Sequence, residues 1–169
     1  MMKARMALPV GLLVAGFAAT MAVAAVPRDD AINPLSARML DSGRAALAAG
    51  NANAAIDAFE AALAADPRNV QAFTGLAQSY EKLGLPGKAV KFYREALLIN
   101  PSDINALEGQ GKALIARGAT ARAQVNLARI KALCKPECAQ AKRLEQAIAA
   151  AATAKTASAA PVTADTAKD

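Results

Sequence analysis

The chain has 169 residues, 54% of them apolar but only 4% aromatic, with 20 basic and 14 acidic side chains, a net charge of +6, and no His or Trp. That length allows one modest domain with tails, and an Ala-rich, aromatic-poor composition suits closely packed helices better than a β core of large side chains. With no His the usual acid–base group is missing, and the basic residues are scattered, whereas nucleic-acid binding wants them clustered and interleaved with stacking aromatics.

The first 25 residues read as a signal peptide. Lys3 and Arg5 form a basic start, residues 8–23 an uncharged apolar run, and Ala22-Val23-Ala24-Ala25 a small-residue site for cleavage after Ala24 or Ala25. The run is short for a membrane span and is broken by Pro9, Gly11 and Gly16. An uncleaved N-terminal anchor is the alternative. No Cys lies near the cleavage point, so a lipoprotein anchor is unsupported. The segment has a bacterial style, and an exported protein, periplasmic or secreted, is expected, without membrane insertion once the segment is removed. Residues 26–35, with Pro27, Arg28, Asp29 and Asp30, form a linker. Asn33-Pro34 then opens a helix, because Pro is tolerated in a first turn whose N–H groups have no partner anyway.

Helical periodicity follows. Phe73, Leu76, Ala77 and Tyr80 recur at spacings of three to four, and after Gly84-Leu85-Pro86-Gly87 a second run sets Ala89, Phe92, Tyr93, Ala96 and Leu97 on one face. This period is that of helices rather than strands. Neither helix is long enough to be stable alone, so the pair must stack, and the sequence supplies copies of it. Gly50, Gly84 and Gly118 stand 34 residues apart, as do Ala55, Ala89 and Ala123, and Gly43, Ala77 and Gly111. Phe59, Tyr93 and Leu127 form another column, Ala62, Ala96 and Ile130 a further one, and Pro67 precedes Pro101 by the same interval. The units run over about 36–69, 70–103 and 104–136. Each Gly ends a first helix in a left-handed conformation cheap only for Gly, each Pro stops a second helix, and Asn69 and Asp103 are placed as N-caps. Residues 137–150, with Ala141, Leu144, Ala147 and Ile148 on one face, read as a capping helix that covers the last apolar surface. From residue 151 the chain lacks large apolar residues and reads as a disordered Ala/Thr-rich tail to 169.

This pattern of small residues, an aromatic and a terminal Pro at a 34-residue period resembles the tetratricopeptide repeat (TPR). The resemblance implies an all-α fold, a right-handed α-solenoid of three helix-turn-helix units plus the C-terminal capping helix. It also implies that the first helices line a concave groove that grips an extended peptide or partner helix. Carried over position by position, the groove takes Ala37, Leu40, Arg44 and Leu47 from the first unit. The second gives Gln71, Thr74, Gln78, Glu81 and Lys82, and the third Asn105, Glu108, Lys112 and Ile115. Arg44, Gln78 and Lys112 form a polar column that could hydrogen-bond a ligand backbone or attract a carboxylate; a merely wet groove is the plain alternative. The carboxylate-clamp subtype has Lys and Asn where Leu40 and Arg44 stand, which argues against chaperone-tail binding of that kind.

The two cysteines, Cys134 and Cys138, lie in CKPEC, where Pro136 makes a continuous helix unfavourable. In an exported chain such a pair is read as a disulfide pinning the cap onto the last repeat. A redox-active dithiol is the alternative, although the spacing is not C-x-x-C. Two thiolates alone do not complete a metal site, and no cofactor is expected. No nucleophile has a His base and no Gly-rich phosphate loop is present. Glu81, Glu95, Glu108 and Glu145 read as solvated helix positions, so no enzyme is expected. The functional expectation is a non-catalytic protein–protein interaction scaffold or adaptor of the bacterial cell envelope, in pilus, secretion or envelope-complex assembly, with a protein or peptide partner and no nucleic acid. A thiol–disulfide redox protein and a self-associating module are the alternatives.

Overall fold

Three glycines punctuate the chain: Gly50, Gly84 and Gly118 have φ of 79°, 68° and 75°, the left-handed region that a Cβ disfavours. Each follows the first helix of a pair. The computed structural model describes residues 33–134 and 138–158, so the signal peptide, all but the end of the linker and the last part of the tail lie outside the described residues. Among these are seven helices: α1 (Pro34–Ala48), α2 (Ala52–Ala65), α3 (Val70–Lys82), α4 (Pro86–Ile99), α5 (Ile104–Ala116), α6 (Thr120–Leu133) and α7 (Ala139–Ser158).

Their starts are chemically defined. The side chain of Asn33 accepts from the Leu35 N–H, that of Asn51 from Ala54, and those of Asn69 and Asp103 each from the two N–H groups beginning two residues on. Each cap satisfies donors that the helix itself leaves orphaned. α4 has no side-chain cap and begins instead on Pro86, which has no N–H to satisfy.

The helices pair in sequence as α1 with α2, α3 with α4 and α5 with α6, and each pair leans on the next through α2–α3 and α4–α5. First helices also touch one another, α1 with α3, α3 with α5 and α5 with α7, whereas no comparable approach joins the second helices. The inner row is therefore drawn together and the outer row splayed, which makes a solenoid concave along α1, α3, α5 and α7.

Packing follows the small-residue columns. The Phe59 ring is enclosed by Gly43 and Gly75: a Cβ on either would stand 2.5 Å from a ring carbon. Burying such a ring stabilises the fold by about 2–3 kcal/mol. Leu144 of α7 takes the space above Gly111, so this glycine admits the capping helix rather than the second helix of its own unit. Leu40, Ala55, Phe59, Ala62, Ala72 and Leu76 form one buried cluster. A larger one runs from Ala77 through Tyr93 and Leu107 to Ile130, Ala141 and Leu144.

α1 starts at Pro34, where Asn33-Pro34 is expected to open it, with Asn33 as its cap. One boundary differs from the sequence reading. α7 runs to Ser158 rather than stopping at residue 150. The Ala-rich stretch after Ala150 buries little, yet Ala has the highest intrinsic helix propensity and simply propagates the helix already nucleated. No helix among the described residues is long and apolar enough to cross a membrane.

Candidate functional site

The concave side holds a pocket of about 560 Å³. α1 contributes Arg44, α3 Gln71, Thr74, Gly75, Gln78 and Glu81, α5 Asn105, Glu108, Gly109 and Lys112, and α7 Arg143; Asp103 stands at the rim, and Phe59 and Tyr93 form the floor. Gln71, Thr74, Gln78 and Glu81 share a stripe because their spacing of three to four residues returns to the same side of α3.

Five expected groove residues are elsewhere. Leu40 is 3% exposed and belongs to the core around Phe59, since Ser36, Leu40 and Gly43 make the stripe of α1 that faces α2. Lys82 is solvent-exposed at the last position of α3, one residue past the groove stripe and hence about 100° around the helix. Leu47 and Ile115 pack against the core instead of lining the pocket, and Ala37 is not among the lining residues.

The charged residues are paired. Arg44 bonds Asp41 Oδ1 at 3.3 Å and donates to Gln71 Oε1. Glu108 accepts from Arg143 Nε at 2.8 Å, Arg143 Nη2 at 2.6 Å and Lys112 Nζ at 2.6 Å. Glu108 is therefore not a solvated position: it is 6% exposed, buried beneath the two cations that it holds. Burial alone would push its carboxyl up, but the hydrogen bonds and charges of Arg143 and Lys112 outweigh that and keep it below the ordinary carboxylate value.

Tyr93 donates its hydroxyl to Glu81 Oε2 at 2.9 Å. Here burial wins: the Glu81 carboxyl is pushed up, although the Tyr93 hydrogen bond and the Lys112 charge oppose it. Burial first, then the neighbouring Glu81 charge and hydrogen bond and the Glu108 charge, push the Tyr93 phenol well above its usual range.

Sequence reasoning missed Arg143, Phe59, Tyr93, Gly75, Gly109 and Asp103 as lining residues. A signal existed for Arg143, which follows Gly109 by one repeat length and so places α7 in first-helix register. Gly75 and Gly109 matter by what they lack, since without side chains there the rings of Phe59 and Tyr93 reach the floor.

Residues 40–104 match the profile of the tetratricopeptide repeat. Those residues carry the tetratricopeptide repeat pattern. No curated protein matches it. Among solved structures it is similar to the TPR domain of Sgt2 from Aspergillus fumigatus, with 23% identity, covering 83% of this chain and 93% of that one at a TM-score of 0.70. It is also similar to the first TPR domain of human RPAP3, with 24% identity, 73% and 97% coverage and a TM-score of 0.66. The first TPR of Spaghetti (RPAP3) bound to the HSP90 peptide SRMEEVD gives 23% identity, 72% and 95% coverage and 0.65. These likenesses are of fold.

Beyond the groove, Cys134 and Cys138 are placed as a disulfide pair with Cα atoms 5.7 Å apart, joining the end of α6 to the start of α7. Both are half-buried against the larger core cluster. The pair anchors the helix that delivers Arg143 to the groove. Among the described residues no group of acidic or sulfur side chains could hold a metal ion.

Proposed function

We propose that the chain is a non-catalytic adaptor of the bacterial cell envelope, exported by residues 1–25, that grips an extended segment of a partner protein in the groove of α1, α3 and α5. A place in assembling pili, secretion systems or other envelope complexes is the narrower form of the reading. The observation that carries it is the turning of Gln71, Gln78 and Asn105 into one cavity from successive first helices. Side-chain amides both donate and accept, which suits the alternating N–H and C=O groups of an extended backbone. Gln78 makes no hydrogen bond to any described residue, and the nitrogen of Asn105 is likewise free, its oxygen being taken by Gln140. The peptide-bound relative supports the same use of this fold.

The test is photo-crosslinking in intact bacteria. A photoreactive residue at Gln78 is expected to capture one envelope protein that the same residue at Val125, exposed on α6, does not. A Gln71→Ala/Gln78→Ala variant is expected to lose that partner while staying helical. Equal capture from both positions, or full retention by the double variant, refutes the groove as the working surface.

A further inference from the structure

The cations at one end of the groove are already occupied. A guanidinium that donates two parallel N–H groups to one carboxylate, flanked by an ammonium, is the arrangement with which proteins hold a ligand's carboxylate. Here the carboxylate belongs to the chain: Glu108 takes both forks of Arg143 and the Lys112 ammonium at 2.6–2.8 Å. The donors come from different directions, Lys112 from one turn along α5 and Arg143 from α7, so the carboxylate is clamped rather than merely neighboured. Nearby, Glu81 faces the same cavity and is bonded to the Tyr93 hydroxyl.

We infer that Glu108 is the residue that sets the charge of the segment this groove accepts, acting as an internal counter-ion that fills the cationic seat of Lys112 and Arg143. The inference rests on the groove reading above. Glu81 and Glu108 balance Lys112 and Arg143, so this end of the cavity is electrically closed. An acidic side chain or chain end entering there would lose its hydration and meet two carboxylates while finding both cations engaged. A segment of uncharged polar residues meets no such cost and finds Gln71, Gln78 and Asn105 to bond its backbone.

The test uses the full chain and three fluorescently labelled hexapeptide pools: acidic with a free C-terminal carboxylate, uncharged with blocked ends, and basic with blocked ends. Binding is read by polarisation for wild type, Glu108→Gln, and Lys112→Gln/Arg143→Gln, with helical content checked by circular dichroism. Wild type is expected to favour the uncharged pool. Glu108→Gln is expected to bind the acidic pool about tenfold tighter than wild type, the worth of one charge-assisted hydrogen bond. Lys112→Gln/Arg143→Gln leaves Glu108 unpaired and is expected to gain about tenfold for the basic pool. It tests the inference independently if Glu108→Gln fails to fold. Wild type that binds acidic and uncharged pools alike, or folded variants that gain nothing while still binding uncharged peptides, overturns the role of Glu108 and leaves the peptide groove standing. If no form binds any pool, both readings fall.

Discussion

Phe59 and Tyr93 occupy the same place in successive repeats, and their surroundings differ. Phe59 is held by Gly43 and Gly75 and makes only packing contacts. Tyr93 fills the corresponding slot against Gly109, but its hydroxyl continues to Glu81, which lies within the field of Lys112, itself bonded to Glu108 and so linked to Arg143. One oxygen atom separates a plug from a floor connected to the groove's electrostatics. Repeats of one pattern can thus divide the work, the first interface supplying rigidity and the second supplying rigidity and charge control.

The comparison is broken most strongly by Phe59→Ala. Emptying a slot lined by glycine leaves a cavity with little around it to collapse, and a loss of about 3–5 kcal/mol is expected in denaturant unfolding. A loss under about 1 kcal/mol would show that the first interface does not hold the repeats together. Gly75→Ala tests the same slot from the other side. Its new Cβ would meet the Phe59 ring at 2.5 Å, so about 1–3 kcal/mol should be lost to overpacking, with Phe59→Leu partly rescuing it. Tyr93→Phe sharpens the contrast. It keeps the ring and removes the donor, leaving the half-buried Glu81 oxygen short of a partner, for a loss of about 1–2 kcal/mol. Unchanged stability would mean that water replaces the hydroxyl without cost.

The smallest effect is a pH dependence. Glu108 has a folded pKa below its ordinary value of 4.5, so its contribution is complete above that value and is lost as pH falls through the folded pKa. Glu81 runs the other way. Its raised pKa makes it a cost at neutral pH that is relieved as pH falls through the folded value. Acidification from neutrality should first hold or slightly raise the Tm and then lower it. Glu108→Gln should flatten only the lower, falling limb. Parallel Tm–pH curves for wild type and variant would rule out Glu108 as the source of that limb.

Much of the fold was legible because its determinants are local and repeated. The positive-φ glycines, the Asn69 and Asp103 caps and the small-residue columns are chemical requirements of single positions, and each recurs at a fixed interval. Of the groove positions carried over from the TPR resemblance, Gln71, Thr74, Gln78 and Glu81 share one stripe of α3 and line the cavity. Leu40 does not, since its phase on α1 belongs to the stripe facing α2. Glu108 was misread because a charged helix residue is ordinarily solvated, and its burial depends on two cations, one of them from another helix. Arg143 went unseen because the repeats were counted only to the third pair, although α7 continues their register. The length of α7 is not legible in the apolar pattern, because large apolar residues are absent after Ala150 and backbone propensity alone extends the helix there.

That extra length turns the end of the solenoid into a spacer. Ile148 is the last residue among those described that packs against the core, yet the helix goes on to Ser158. At a rise of 1.5 Å per residue, α7 carries the chain about 15 Å past its last anchored side chain. Because the same helix is tied at its base by Cys134–Cys138 and by the Glu108–Arg143 clasp, its direction is fixed by the groove wall. A ligand that shifts Arg143 would tilt this arm, and a label placed near residue 155 would read occupancy of the groove as a displacement at a distance.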